Sequence, residues 1–133
     1  MVSYYTDKDT LDPGWVDAFA QKAARSFFEV KDKETAIKSS QLRKFYADVK
    51  TLERQWQASG ADEAAFGRIL PMIKLLKAKS DYAHKRKVVP SNFKDWLWKH
   101  VDSINAPRDF KAFLLHFEAV VGFCYGLAQG NFA

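Results

Sequence analysis

A chain of 133 residues, 47% hydrophobic and with 11 Phe, 5 Tyr and 4 Trp, suits one domain with ample core material and excludes intrinsic disorder. Its single cysteine, Cys124, excludes an internal disulfide and a cysteine-based zinc site. The most apolar stretch, 110–127, is interrupted by Lys111, His116 and Glu118, and residues 1–7 (MVSYYTD) have no charged-then-apolar leader, so the expectation is a soluble cytoplasmic protein making no use of a membrane.

The net charge of +5 is unevenly placed. The window 74–87 (KLLKAKSDYAHKRK) holds six bases, Lys74, Lys77, Lys79, Lys85, Arg86 and Lys87, against the single acid Asp81, and the rest of the chain is neutral. Such an excess marks either a polyanion site or a solvated, lysine-rich helix end that complements the helix dipole.

The elements read as all-α, about five helices in one compact bundle, with no strand alternation. Asp12-Pro13 places a cap before a first-turn proline, predicting a first helix within 11–28 with Trp15, Val16, Phe19, Ala20, Ala23 and Phe27 on its apolar stripe. The polar stretch 29–38 (EVKDKETAIK) lacks a stripe and reads as a mobile connector to a core bundle over 39–127. A second helix runs from the cap candidates Ser39 and Ser40 to about Gln57, stopped by Ser59-Gly60. Leu42, Phe45, Tyr46, Val49, Leu52 and Trp56 share one of its faces, and Arg43, Lys50 and Arg54 form a stripe about 16 Å long on the other, with Asp48 and Glu53 off to its sides.

The third segment starts at Asp62, and Leu70-Pro71 predicts a break or kink before a helix over 71–85. There Met72, Leu75, Leu76, Tyr82 and Ala83 are assigned to the apolar face, opposite Lys74, Lys77, Asp81 and Lys85. Lys79 falls on the apolar side, so it snorkels, pairs with a carboxylate, or lies on an edge that meets a ligand or partner. A fourth helix is capped at Ser91 or Asn92 and buries Phe93, Trp96, Leu97, Val101 and Ile104. After Asn105-Ala106-Pro107 the fifth and central helix carries Phe110, Phe113, Leu114, Phe117, Val120, Val121, Cys124 and Tyr125, with a frayed tail over 128–133.

No catalytic constellation emerges. His84, His100 and His116 sit sixteen residues apart without metal-ligand spacing, the glycines form no phosphate-cradling run, and Cys124 lies on an apolar face, as an inert thiol does. Asp102 and Asp109 read as helix-end partners of the dipole. No catalytic residue, metal ligand or cofactor is therefore assigned. The aromatics occupy core positions, with Tyr4, Tyr5 and Tyr82 least accounted for. Helix-turn-helix reading of DNA is disfavoured because the residues after Ser59-Gly60 are acidic. Phosphate contacts from lysine and arginine stripes to a single strand or a shape-read duplex fit better.

Residues 39–46 (SSQLRKFY) and 75–86 (LLKAKSDYAHKR), followed by 110–126 (FKAFLLHFEAVVGFCYG), resemble the small subunit of the Csm effector complex, the type III-A CRISPR interference machine. The resemblance covers 37–126 and implies a small all-helical protein without catalytic activity. Such a subunit stacks in several copies beside a backbone filament that carries crRNA and lines the path of the target RNA, while cleavage belongs to other subunits. It implies a role at the guide–target path for Arg43, Lys44, Lys77, Lys79 and Arg86. One departure is Lys85, where relatives tend to have a small residue, often glycine. The resulting expectation is an antiviral RNA-binding subunit that contacts phosphates without reading bases, through Arg43, Lys44, Lys50, Arg54, Lys74, Lys77, Lys79, Lys85, Arg86 and Lys87. Its partners would be target RNA, the crRNA–target duplex, other Csm subunits and copies of itself. The alternative is a helical protein–protein adaptor with a basic docking surface.

Overall fold

In the computed structural model, described over residues 2–31 and 33–128, a 3-10 turn at Pro13–Val16 precedes α1 (Ala18–Ser26), α2 (Ser39–Ala58), α3 (Glu63–Lys85), α4 (Ser91–Ser103) and α5 (Pro107–Ala128). Among the described residues there is no strand, only an isolated antiparallel bridge between Tyr5 and Leu11. The five helices form one bundle in which α5 packs on α1 and α2, while α3 packs on α2 and α4.

α5 holds the centre because Phe110, Phe113, Phe117, Val120 and Cys124 are wholly buried. Its length and apolarity would suffice to cross a membrane, contrary to the expectation from its interrupting charges. Packing against α1 and α2 accounts for that apolarity instead. Burial also lifts the Cys124 thiol to about 12, which keeps it protonated. Residues 129–133 of the expected tail lie outside the described residues.

The first helix divides where one was expected. Asp12 accepts a hydrogen bond from the Gly14 N–H and starts the 3-10 turn, but Asp17 leaves helical geometry (φ −136°, ψ −109°) and α1 begins after it. The break brings Ala20, Ala24 and Phe27 into the core, leaving Val16 and Phe19 exposed. Part of the connector after α1, expected to be mobile, makes specific contacts with the bundle at Glu34 and Ile37. Ile37 is buried and donates its N–H to the Phe27 carbonyl, and the Glu34 carboxylate accepts from the Ser91 N–H (2.8 Å) and Ser91 Oγ (2.7 Å). Glu34 thereby caps α4, whose N-cap, Pro90, has no side-chain hydrogen bond to offer. Periodicity could not show this, since the cap comes from 57 residues away.

α2 starts at Ser39, the first residue expected to cap it, so its cap lies one residue earlier. Lys38 is the N-cap, and Ser39 Oγ is buried without a partner among the described residues. It stops at Gly60 (φ 100°), with the Ala61 N–H reaching back to the Trp56 carbonyl, the expected glycine stop. α3 overturns the expected break at Pro71 by running unbroken through it. Phe66, Ile69, Ile73, Leu76, Ser80 and Ala83 form one buried line at alternating three- and four-residue steps on both sides of the proline. Pro71 and Gly67, the residue whose carbonyl loses its hydrogen bond, are both exposed, so water satisfies what the proline removes.

Candidate nucleic-acid interface

On either side of its buried line, α3 presents a flank of different character. The flank facing α4 is consumed by packing. Lys74 Nζ donates to the carbonyls of Val101 (2.8 Å) and Ile104 (2.9 Å) and to Asn105 Oδ1 (3.3 Å), closing the carbonyl end of α4, and partial burial holds this ammonium below the usual lysine range. Lys77 pairs with Asp102 (2.7 Å) and lies over the Trp98 ring at 4.7 Å. Asp81 binds Lys94 (3.0 Å) and Lys85 (3.2 Å), and these two hydrogen bonds hold its carboxyl below the ordinary range.

The opposite flank carries Met72, Leu75, Lys79, Tyr82 and Arg86 at the same alternating steps, and it faces α2 and solvent. Assigned to the core by periodicity, Met72 and Leu75 are 46% and 42% exposed and Tyr82 is 65% exposed, whereas Leu76 and Ala83 are buried as expected. Two apolar lines adjoin on this helix, and composition alone does not tell which faces inward.

Between α2 and α3 this flank forms one wall of a groove of about 210 Å³, lined by Gln41, Lys44 and Asp48 from α2, by Lys79 and Tyr82 from α3 and by Arg86 at the C-cap of α3. Arg86 lies over the Tyr82 ring, 5.4 Å from its centroid, and Lys79 reaches Asp48 at 3.5 Å. That exposed, long contact is worth little, about 0–1 kcal/mol. Lys44 and Arg86 have no carboxylate partner among the described residues. Arg43 stands exposed on α2, outside the groove's lining, and Lys87 follows Arg86 in the left-handed region (φ 63°).

Of the ten cations singled out in the sequence, three thus converge on the groove (Lys44, Lys79, Arg86), whereas Arg43 is exposed on α2 outside its lining and Lys87 lines a separate hollow with Lys85, Glu34 and His84. Lys74, Lys77 and Lys85 lie on the other flank of α3. The Arg43, Lys50, Arg54 stripe is interrupted: Glu53, placed off to its side by helical spacing, folds back onto Lys50 at 2.6 Å and keeps its ammonium firmly charged, and Arg54 donates to Thr51 Oγ1. Tyr82 and Gln41 were absent from the sequence-derived set. Tyr82 carried a signal, as an aromatic with bases on both sides, while Gln41 carried none.

The three histidines all have partners, and two of them lie in the core. His84 pairs with Glu34 (3.1 Å), and His100 and His116 are buried with ring centroids 4.6 Å apart. Trp96 Nε1 donates to His116 Nε2 (3.0 Å), which fixes the proton on Nδ1, and that N–H donates to the Trp15 carbonyl (2.5 Å). Tyr4, unexplained by the sequence pattern, is buried with its hydroxyl 2.7 Å from His100 Nδ1. Asp109 accepts from the Asn105 and Ala106 N–H groups, a helix-end role as expected. Among the described residues no group of His, Cys, Asp or Glu is arranged to hold a metal.

The fold is that of a small all-α bundle, with a groove between α2 and α3 where Lys44, Lys79 and Arg86 gather around an exposed tyrosine. A family model described as Csm2 Type III-A matches residues 16–125, extending the sequence resemblance back through α1. The chain belongs to this family, the small subunits of the type III-A CRISPR complex, and so takes its place among other Csm subunits. No curated protein and no solved structure matches the chain significantly.

Proposed function

We propose that the chain is a non-catalytic RNA-binding subunit that grips phosphates of the target strand, or of the crRNA–target duplex, through the α2–α3 groove, without reading bases. The observation that supports this most directly is the convergence of Lys44, Lys79 and Arg86 around Tyr82, because these residues come from the two separate stretches that carry the family resemblance. The groove offers point charges and one stackable ring, a chemistry that holds a backbone and tolerates any base. Association between neighbouring copies is supported by Met72 and Leu75, which continue the groove's line as exposed apolar surface. One copy makes few contacts, so affinity arises from repetition along the strand.

For single-stranded RNA, log affinity falls by about 0.7 per phosphate contact per log unit of salt. In a filter-binding titration, Lys44→Ala/Arg86→Ala is therefore expected to flatten the slope by about 1.4, whereas Lys85→Ala, on the far flank, leaves it unchanged. Equal slopes for wild type and the double variant would remove the groove from RNA binding and favour an adaptor with an acidic protein partner. Sedimentation velocity on the same samples reads self-association, expected to weaken in Met72→Glu/Leu75→Glu.

A further inference from the structure

A second cleft is built from another pair of elements. Between the Pro13–Val16 turn with α1 on one side and α4 on the other lies a cavity of about 460 Å³, within the range of small-ligand sites. Trp15, Phe19 and Trp96 line it as aromatic walls, and Lys22 and Lys99 stand at its rim. The polar edges of both tryptophans are already engaged, Trp15 Nε1 with the Ser3 carbonyl (3.1 Å) and Trp96 Nε1 with His116 (3.0 Å), so it is ring surface that meets a ligand. Phe19 is 42% exposed for so large an apolar ring. It lies where a Cβ on residue 14 would stand 2.5 Å from its Cε2, a position open only because residue 14 is glycine.

Two features show which chemistry the cleft suits. His100 lines it and is 1% exposed, and its Nδ1 meets the Tyr4 hydroxyl, which leaves Nε2 with no partner among the described residues. A buried polar edge beside apolar walls asks for a planar group with its own hydrogen-bonding edge. Lys22 and Lys99 are exposed and have no carboxylate partner among the described residues, so the rim suits an anion. Asp95, also lining the cleft, is an acceptor fitted to an exocyclic amine.

We propose that this cleft is a nucleotide site, taking an amino-bearing base against Trp15, Phe19 and Trp96 with an edge on His100, and the attached phosphate on Lys22 and Lys99. The same chemistry comes from a free mononucleotide or from one unstacked nucleotide of a strand. The site shares no residue with the α2–α3 groove, so it stands or falls separately.

The test is an NMR titration of the full chain, following the tryptophan indole N–H signals with AMP, adenosine and a short oligoadenylate. AMP is expected to shift the Trp15 and Trp96 signals saturably. Phe19→Ala should weaken that binding by about tenfold, the scale of one lost stacking contact. Lys22→Ala/Lys99→Ala, which alters exposed side chains only and covers a misfolded Phe19 variant, should weaken AMP several-fold and bring it level with adenosine. Lys44→Ala/Arg86→Ala should leave the shifts intact. If the oligoadenylate shifts these signals and AMP does not, the strand is the source. The proposal is overturned if neither shifts them, if wild type binds adenosine as well as AMP, or if both cleft variants behave as wild type.

Discussion

Lys87 shows at single-residue scale how this chain trades local comfort for placement. It follows the last turn of α3 with φ 63°, while its N–H reaches the His84 carbonyl and the Val88 N–H reaches the Ala83 carbonyl, a stop usually given to glycine. The lysine carries about 1 kcal/mol of left-handed strain. Lys87→Gly is therefore expected to raise the urea midpoint of unfolding modestly, and an unchanged or lowered midpoint would show the lysine to be unstrained. The resemblance placed the glycine of relatives at Lys85, yet here Lys85 is the last helical residue and the positive φ falls two positions later. Spacing alone could not reveal that, because a C-terminal stop depends on where the last buried residue, Ala83, anchors the turn. Lys79 was more legible, since it broke the apolar pattern around it, whereas Tyr82 fitted that pattern and was placed on the core face; both line the groove.

At the scale of the element, α3 is the most instructive helix. Its proline predicts a break, but burial of Ile69 and Ile73 on either side keeps the two halves in one register. Restoring the amide should relieve the mismatch, so Pro71→Ala is expected to stabilise the protein by up to about 3 kcal/mol in urea unfolding. A loss of stability would mean that the proline ring packs usefully despite its exposure. Helices α2, α4 and α5 were legible because their apolar residues recur on a single face, and their buried sets are Leu42 to Trp56, Phe93 to Val101 and Phe110 to Cys124. The first helix was not, because Trp15 and Phe19 fit a continuous stripe equally well, and the break at Asp17 is set by tertiary packing of Trp15 beside Tyr4, His100 and His116.

For the molecule as a whole, the paired histidines couple folding to acidity. Burial pushes His116 to about 4 and His100 to about 2, and both are therefore neutral in the folded chain. Unfolded, each takes up a proton near pH 6.5, so the native state binds fewer protons at acid pH. Their stabilising contribution is complete above about pH 6.5 and is lost as pH falls towards 4 for His116 and further for His100, by about 1.4 kcal/mol per pH unit for each histidine. The hydrogen-bonded carboxylates of Glu34 and Asp81, both held below their ordinary range, add loss in the same direction at lower pH. Urea midpoints are expected to fall between pH 7 and pH 5, with a shallower fall in His116→Gln. Midpoints that stay level over that interval would show that the pair titrates normally. The candidate interface was legible at this scale as an excess of cations in one window. Its division was hidden because it depends on which neighbour each lysine meets: Asp102 and the end of α4 for one flank, α2 for the other.

That division has a mechanical consequence. Because Lys74 is plugged into the end of α4, any roll of α3 that shifted Lys79 and Arg86 would first have to pull that ammonium out of its three-oxygen socket. The cations are thus held at a set angle in advance, so that, on the function proposed above, neighbouring copies would offer a strand the same spacing of charge without first rearranging.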